Sequence, residues 1–300
     1  MSSSPSPPLS LSSLSGLSEE SFVAAVGGVY ENSPWVASAV FTNLKPLSIT
    51  SIASLHAAMK EVVETIEEKK KLELINSHPD LAGKAALADE LTEESKEEQS
   101  KAGLNSLTKE ELEQFTKMNE KYKSKFGFVF ILAVRNATKY TILKSFEARL
   151  KNTRMKEFEE CITQIHKIAW MRLLTILEPA DTGFLTCHVL DTASGKPAND
   201  MDITLERLSG TGPLGVIGSF VTNSDGRLTS GRALTGKDFS VGIYKWTFEV
   251  GDYFAKEGAK LAGTPFLMSV PLVFGIDDPE DHYHVPLLCS PYGYSTYRGS

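Results

Sequence analysis

The chain has 300 residues, of which 41% are hydrophobic and 23% charged, and its formal net charge is −7. This length favours two domains and this composition is typical of a globular protein. An acidic chain with no stripe of Lys and Arg on any predicted face argues against nucleic acid as a partner, and no apolar run approaches the roughly 18 residues of a membrane span.

The first residues and the cysteines set further bounds. Residues 1–17 are rich in Ser, Pro and Leu and contain no Lys or Arg, so we expect a disordered leader and not a secretory or mitochondrial signal. Cys161, Cys187 and Cys289 are odd in number and far apart in the chain. They favour buried thiols in a reducing compartment over disulfides or a zinc motif.

Helical periodicity dominates residues 18–178, for which we predict an all-α helical bundle. One apolar stripe consists of Leu55, Met59, Val62 and Ile66. A capping box at residues 108–111 (TKEE) starts another helix, because Thr and Glu three residues apart satisfy free backbone N–H groups. The run at residues 126–133 (FGFVFILA) is apolar on every side and is expected to be buried.

A change of period marks the second half. Residues 179–182 (PADT) are predicted to be a linker, because proline and glycine punctuate the chain around them. From residue 183 to residue 300 the period is two, with Leu185, Cys187 and Val189 on one face of a strand. Further strands are predicted at residues 201–208, 242–250, 271–275 and 282–288, which together indicate a β-sandwich.

Three histidines of this half avoid the predicted core. Since successive strand side chains point to opposite faces, His188 lies opposite Cys187, and His282 and His284 share the face opposite Tyr283. They are either solvated surface histidines, zinc ligands or parts of a catalytic site, because an imidazole can serve in each role. The chain then ends in Tyr297, Arg298, Gly299 and Ser300; if these form a site, the chain can be neither extended nor trimmed there.

Three motifs of this half resemble 5-hydroxyisourate hydrolase, the transthyretin-like enzyme of urate breakdown. They are residues 185–198 (LTCHVLDTASGKPA), 225–227 (DGR) and 282–300. The resemblance implies a transthyretin-like sandwich, a homotetramer and no metal or other cofactor. It assigns the site to His188, His284, Arg227 and the terminal residues Tyr297, Arg298 and Ser300. We expect His188 and His284 to activate water, His282 and Ser300 to complete the network, and Arg227 and Tyr297 to hold substrate.

A polar stripe marks the helical half. Ser95, Glu98, Gln99 and Ala102 lie on one helix face, and His78 stands at a helix end because Pro79 follows it. An acidic, solvated helix and a structural histidine would also account for these residues.

Five motifs resemble the decarboxylase of 2-oxo-4-hydroxy-4-carboxy-5-ureidoimidazoline (OHCU), an all-helical, cofactor-free enzyme. They are residues 31–37 (ENSPWVA), 77–84 (SHPDLAGK), 95–104 (SKEEQSKAGL), 126–131 (FGFVFI) and 146–150 (FEARL). The resemblance assigns catalysis to His78 and Glu98, and substrate binding to Pro79, Gln99, Ile131, Leu132 and Arg149, with Arg135 as a competitor of Arg149. His78 is expected to donate the proton that replaces CO2, and Glu98 to fix its tautomer or a substrate hydroxyl.

Together the halves resemble the bifunctional enzymes that turn 5-hydroxyisourate into (S)-allantoin through OHCU. The alternative is a non-catalytic binding or scaffold protein of transthyretin-like fold, and a zinc hydrolase is a further alternative for the sandwich. Relatives work in the cytoplasm or in peroxisomes, and neither terminus carries a recognisable import signal.

Overall fold

A computed structural model describes residues 8–44, 49–82, 92–135, 137–210, 212–259 and 263–299 of the chain. It divides into two compact units, Met1–Glu178 and Pro179–Ser300, each with its own hydrophobic core. Among the described residues, no helix is both long enough and apolar enough to cross a lipid bilayer.

The first unit is built from helices. They are α1 (Leu11–Ser15), α2 (Glu19–Val26), α3 (Trp35–Asn43), α4 (Ile52–Thr65), α5 (Glu68–Asn76), α6 (Glu93–Lys101), α7 (Lys109–Phe126), α8 (Lys139–Arg149) and α9 (Arg154–Ile176), with a 3-10 turn at Leu104–Ser106. The predicted capping box is confirmed: Thr108 Oγ1 accepts from the Glu111 N–H at 3.2 Å, and Glu111 Oε2 accepts from the Thr108 N–H at 2.9 Å. Leu55 and Met59 of the predicted stripe on α4 are buried, but Val63 is buried in place of Val62.

The predicted disordered leader is wrong for the part of it that the structure describes. Leu9 and Ser10 form a short strand, β1 (Leu9–Ser10), which pairs in parallel with β2 (Leu177–Glu178). Leu14, in α1, is fully buried. Residues 1–7 lie outside the described residues. The leucines that interrupt the serines of this segment give it apolar surface to bury against the bundle, which a composition rich in Ser and Pro obscured.

The second unit is a sandwich of two sheets. Its strands are β3 (Phe184–Asp191), β4 (Lys196–Pro197), β5 (Asp202–Gly210), β6 (Gly215–Val221), β7 (Leu234–Thr235), β8 (Gly242–Phe248), β9 (Val270–Ile276), β10 (His282–Ser290) and β11 (Gly293–Thr296). One sheet has the order β11-β10-β3-β4, with β7 also on β3, and the other has the order β6-β5-β8-β9. Strands β6 and β11 were not predicted. The strand predicted at 242–250 ends earlier, because α10 (Val250–Lys256) begins there.

The register of β3 and β10 decides where the histidines lie. The two strands run parallel, with His284 opposite Thr186 and Pro286 opposite His188. Leu185, Cys187 and Val189 are buried, whereas His188, His282 and His284 are half-buried on the other face. The histidines therefore lie on the non-core face of both strands, as predicted. Separately, the three cysteines of the chain are buried free thiols.

Candidate functional site

A cavity in the helical unit brings together six of the seven residues that the resemblance assigned to a decarboxylase site. It is bounded by the end of α5, by α6, by α9 and by the segment that follows α7. The six residues are His78, Pro79, Glu98, Gln99, Ile131 and Leu132. Three helices and the segment at residues 130–134, which come from distant parts of the chain, therefore line one cavity.

His78 is held as a neutral imidazole with one defined tautomer. Its Nδ1 lies 2.9 Å from the carbonyl oxygen of Leu74, the last turn of α5, so Nδ1 must carry the hydrogen. Burial, which leaves the residue 7% exposed, lowers the pKa of His78 to about 4. Nε2 is buried and has no hydrogen-bond partner among the described residues. The ring therefore presents a lone pair, and the backbone carbonyl of Leu74, not Glu98, fixes its tautomer.

Glu98 is instead half of an ion pair with Arg172, a residue that the sequence analysis missed. Nε of Arg172 lies 3.0 Å from Oε1 of Glu98, and Nη2 lies 3.2 Å from Oε2. Nη2 also lies 2.7 Å from Oε2 of Glu31. A fork of donors between two carboxylates is a geometry that arginine provides and lysine does not. Arg172 lines the cavity and is 5% exposed.

A signal for Arg172 was present in the sequence. It stands in α9 between Ala169 and Leu173, both fully buried, and is a charged residue on an apolar helix face. Charged side chains are almost never buried in such a position without a partner.

Glu31 closes the polar cluster from the loop that precedes α3. Its Oε1 accepts from Thr92 Oγ1 at 2.7 Å and its Oε2 accepts from Ser95 Oγ at 3.0 Å. Burial alone would raise the pKa of Glu31, but the Arg172 guanidinium and the Thr92 hydroxyl outweigh burial and hold that pKa below its usual value. Two carboxylates, those of Glu31 and Glu98, therefore share one guanidinium beside the cavity.

Gln99 ties the loop after His78 to α6. Its Oε1 accepts from the N–H of Ala82 at 3.0 Å, so the amino group is the side of the amide that can donate elsewhere. Ala82 has a φ of 51°, a left-handed conformation that is rare for a residue with a side chain. Asn119 donates to the carbonyl of Leu81 at 2.9 Å and holds the same loop from α7.

Arg149 does not line this cavity, contrary to the sequence-based assignment. Its Nε donates to Oε1 of Glu157 at 2.7 Å and its Nη1 donates to the carbonyl of Ile131. Its guanidinium lies 4.5 Å from the centre of the Phe130 ring. The competitor Arg135 is not among the described lining residues either. Arg149 is committed to the buried carboxylate of Glu157 and supports the cavity wall from behind.

Side chains hold every second residue of that wall. The contacts are Asn76 Oδ1 to the Val129 N–H at 3.3 Å, Arg149 to the Ile131 carbonyl, and Gln164 Oε1 to the Ala133 N–H at 3.0 Å. Phe130, Ile131 and Leu132, in the middle of this stretch, line the cavity.

The sandwich carries a second cluster on its outer face. The ring centres of His188 and His284 are 6.4 Å apart, and those of His282 and His284 are 6.1 Å apart. Burial, and after it the nearby Arg227 guanidinium, lowers the pKa of both His188 and His284. Both imidazoles are therefore biased toward the neutral form, which can accept a proton.

A tight turn brings Arg227 to His188. The two residues form an isolated antiparallel bridge, and Gly226, before Arg227, has a φ of 70°. A Cβ on Gly226 would lie 2.2 Å from the carbonyl oxygen of Val189 and 3.2 Å from Cδ2 of His188. Only glycine fits that approach without moving the backbone.

The last described residues return to His284. The Gly299 N–H donates to the carbonyl of His284 at 2.9 Å, and a Cβ on Gly299 would lie 2.5 Å from Cδ2 of that ring. Tyr297 is exposed, and the side chain of Arg298 turns away to Asp281, with Nη2 2.7 Å from Oδ2. The structure therefore brings the backbone of the terminal segment to His284, whereas the Arg298 guanidinium is bound elsewhere. Ser300 lies outside the described residues.

Metal ligation was one alternative for these histidines. Within the ranges that the structure describes, no three or more His, Cys, Asp or Glu side chains group in a way that could hold a metal ion.

Comparison with known proteins assigns both units. The family model described as OHCU decarboxylase matches residues 15–174, and the HIUase/Transthyretin family model matches residues 185–299. A crystal structure of (S)-allantoin synthase superposes with a TM-score of 0.85 at 47% identity, covering 97% of this chain and 100% of that one. The chain belongs to the OHCU decarboxylase and HIUase/transthyretin families. Their order along the chain and the predicted fold class are confirmed.

Two curated relatives are each similar to a part of this chain. The 5-hydroxyisourate hydrolase 2 of Rhizobium meliloti (strain 1021) is 54% identical over 119 residues, which are 40% of this chain and 98% of the relative. The uric acid degradation bifunctional protein of Bacillus sp. (strain TB-90) is 40% identical over 178 residues, 59% of this chain. The match spans about a third (34%) of that bifunctional relative's length. With an OHCU decarboxylase domain and a HIUase/transthyretin domain, the chain is a bifunctional enzyme.

Proposed function

We propose that this chain converts 5-hydroxyisourate to (S)-allantoin, with the sandwich hydrolysing 5-hydroxyisourate to OHCU and the helical unit decarboxylating OHCU stereospecifically. The observation that carries the proposal is that each unit holds one polar, imidazole-containing cluster inside the range matched by the corresponding enzyme family. The domain boundaries proposed are residues 18–178 and 183–300.

In the decarboxylase site, a neutral His78 can donate a proton only after accepting one. Its Nε2 lone pair is placed to take the hydroxyl proton of OHCU, while the C–C bond to the carboxylate breaks and its electron pair enters the adjacent ring imine. The imidazolium then gives the proton to the former imine carbon from one face, which sets the configuration, while the deprotonated oxygen becomes a carbonyl and the imine nitrogen takes a proton from solvent. Glu98 and Gln99 orient hydroxyl and ureido groups, and the backbone of residues 130–132 receives ring oxygens.

In the hydrolase site, the two imidazoles act on water. His284, with His188, takes a proton from a water molecule, and the oxygen of that water attacks the ring carbonyl. The ring C–N bond then breaks, and the leaving nitrogen receives the proton from the imidazolium. Arg227 has the planar, permanently charged group that suits the anionic tetrahedral intermediate and the purine-derived ring. Tyr297 stays a proposed contact of the substrate, and Ser300 stays a proposed member of the catalytic network.

The test is a chirality assay on freshly made 5-hydroxyisourate, followed by circular dichroism. A dextrorotatory allantoin signal that persists in excess chelator supports the bifunctional enzyme. Racemic product at the spontaneous rate would indicate the scaffold alternative, and loss of the hydrolytic step to chelator would indicate a zinc hydrolase. The variant His284→Asn should abolish accelerated loss of 5-hydroxyisourate, and His78→Ala should leave hydrolysis intact but make the product racemic.

Self-association as a homotetramer through the sandwich is part of the proposal. The sandwich exposes large apolar side chains, among them Phe266, Met268 and Tyr292, and the first of these is 73% exposed. Contiguous apolar surface of this kind marks interfaces in globular proteins. Light scattering after size exclusion should give four times the chain mass, and a monomer would contradict it. We place the enzyme in the cytoplasm or the peroxisome, where buried free thiols stay reduced.

A further inference from the structure

A hydroxyl group lies between two imidazoles of the sandwich cluster. Oγ1 of Thr186 is 2.8 Å from Nε2 of His282 and 2.8 Å from Nδ1 of His284. The arrangement follows from the parallel register, which sets His284 directly opposite Thr186 and His282 opposite Phe184. Thr186 was not assigned a role from the sequence, and His282 was expected to complete the network without a defined partner.

A threonine hydroxyl has one hydrogen to donate, so these two contacts cannot both be donated by it. It donates to one imidazole and accepts from the other, which couples the tautomers of the two rings. The carbonyl of Tyr283 competes for the same hydrogen but lies 3.5 Å away, at the limit of a hydrogen bond. The two short contacts therefore define the network.

His282 is held for this role by stacking. Its ring lies 4.2 Å from that of Phe184, with an angle of 24° between the planes. The guanidinium of Arg232 lies 3.8 Å from the centre of the same Phe184 ring. A ring fixed on its face has one orientation, so its Nε2 stays directed at Thr186.

We propose that Thr186 and His282 are positioning residues of the hydrolase, which orient His284 so that its Nε2 lone pair faces water. In this state His284 Nδ1–H donates to Thr186 Oγ1, and the Thr186 hydroxyl donates to Nε2 of His282. When Nε2 of His284 takes a proton from water, both hydrogen bonds strengthen, because the first donor is now an imidazolium. No proton leaves His284 along this path, so the returning proton still goes to the leaving nitrogen. The inference rests on the proposed hydrolase function.

The hydrogen bonds of Thr186 favour the cationic form of His284, whereas the groups around this ring disfavour it. The titratable and charged groups that act on His284 are Arg227, His282 and His188, and each disfavours its cationic form, as does burial. Gly299, whose backbone packs on the ring, has no side chain. Thr186 Oγ1 is therefore the acceptor that offsets the cost of charging His284 during the reaction.

The test compares Thr186→Val with Thr186→Ser. Valine keeps the volume and the strand preference but removes the hydroxyl, and serine keeps the hydroxyl. We expect Thr186→Val to lower kcat for 5-hydroxyisourate about 10- to 100-fold, the loss of one hydrogen bond to a charged group. The acid limb of kcat/KM should move to lower pH, because the imidazolium loses an acceptor. Thr186→Ser should restore both the rate and the pH profile.

His282→Phe supplies the second arm, since phenylalanine retains the stack on Phe184 but offers no acceptor. It should lower kcat by a smaller factor than Thr186→Val does, because the Thr186 hydroxyl loses its acceptor but stays as the acceptor of His284 Nδ1–H. The double variant should behave like Thr186→Val alone, because His282 acts through Thr186. Multiplicative effects of the two substitutions would show that His282 contacts the substrate directly and would overturn the inference.

The decarboxylase of the same samples is the internal control for folding. With OHCU supplied by an excess of a separate 5-hydroxyisourate hydrolase, every variant should form (S)-allantoin at the wild-type rate. A wild-type protein that does not accelerate loss of 5-hydroxyisourate would contradict the proposed function itself. A wild-type protein that does, together with a Thr186→Val variant of unchanged rate and pH profile, would overturn only the positioning role.

Discussion

The pKa values of His78, His188 and His284 are all lowered, and the main cause is the same for each. Burial is the largest cause of a lowered pKa in all three, but His78 is enclosed in the helical core, whereas the other two lie half-buried on a sheet face. A base that must be neutral before it acts gains acid tolerance from a lowered pKa, because protonation then sets in at lower pH.

The two activities should therefore lose rate at different acidities. The acid limb of kcat/KM for the decarboxylation should lie near pH 4, the pKa of His78, as long as the helical unit stays folded. That for the hydrolysis should lie below the ordinary histidine pKa of about 6.5, because burial and Arg227 lower the pKa of both His188 and His284. Initial rates of each step across pH would check this. An acid limb of the decarboxylation at or above the ordinary histidine value would contradict it.

Arg172 and Arg149 should differ in what their substitution costs. Arg172→Lys should lower the decarboxylation rate about 10²-fold, because a lysine cannot bridge Glu31 and Glu98 with a fixed fork of donors. Arg149→Lys should mainly lower stability, by about 1–3 kcal/mol, because the buried Glu157 carboxylate loses a partner. Steady-state kinetics and thermal unfolding of both variants would separate the effects.

Arg135→Lys is the matched control for this pair and should leave rate and stability unchanged. If Arg149→Lys abolished the rate without loss of stability and Arg172→Lys did not, the assignment of the two arginines would be reversed.

At the scale of elements, each site depends on where an element ends or on how two elements pair. His78 lies just beyond the last turn of α5 and donates to a carbonyl of that turn. Three side chains hydrogen-bond to the backbone of residues 129–133, which form a wall of the cavity. In the sandwich, parallel pairing of β3 with β10 places the histidines, and the segment after β11 returns to cover His284.

That return leaves no room for a side chain at Gly299. Gly299→Ala places a methyl group 2.5 Å from the His284 ring, so the ring or the segment must move. A displacement of about 1 Å in a site can cost on the order of 10²-fold in rate, and we expect at least a tenfold loss of hydrolysis with little change in melting temperature. Gly293→Ala in β11 is the control, because its nearest contact would be Ser290 Oγ at 3.9 Å. Equal activity of both variants would show that the contact is unimportant.

At the scale of the whole molecule, each unit has its own hydrophobic core, and buried histidines make the stability of the helical unit depend on pH. The helical unit encloses three histidines, His56, His78 and His166, and burial is the largest cause of a lowered pKa in each. His166 binds the Tyr30 hydroxyl through Nδ1 at 2.8 Å and has a pKa of about 4.

The helical unit should therefore lose stability as the pH falls from about 6.5 to about 4. In this window the unfolded chain binds protons that the folded histidines do not, so the free energy of unfolding decreases; above it the full stability is present. A pKa difference of one corresponds to about 1.4 kcal/mol for each group. Urea unfolding followed by helical circular dichroism at about pH 7.5 and about pH 5 would measure the change.

His56→Gln is the control for this effect. Glutamine can still donate to the His166 carbonyl, which His56 Nε2 contacts at 2.9 Å, but it does not titrate. Its difference in stability between the two pH values should be smaller than that of the wild type. Identical urea midpoints of the wild type at both pH values would contradict the argument.

Local pattern was sufficient for much of the architecture. The switch of period from helical to two predicted a bundle followed by a sandwich, and the alternation around His188 and His284 placed both on the non-core face. Short elements with weak periodicity were missed, such as α1 and α10, because their few residues carry little signal. In the helical half, the pattern left a solvated helix and a structural histidine open, and the resemblance to OHCU decarboxylase selected His78, Glu98 and Gln99, which do line one cavity.

The sequence by itself determined the order of the two families and the class of each unit, because these depend on residue type and short-range spacing. Tertiary structure decided which groups meet. Arg172 reaches Glu98 across 74 residues of chain, and Thr186 reaches His284 across 98. Such contacts are set by how helices pack and by the register of parallel strands. Neither leaves a trace in local spacing, so Arg149 and Arg172 could be distinguished only in the folded chain.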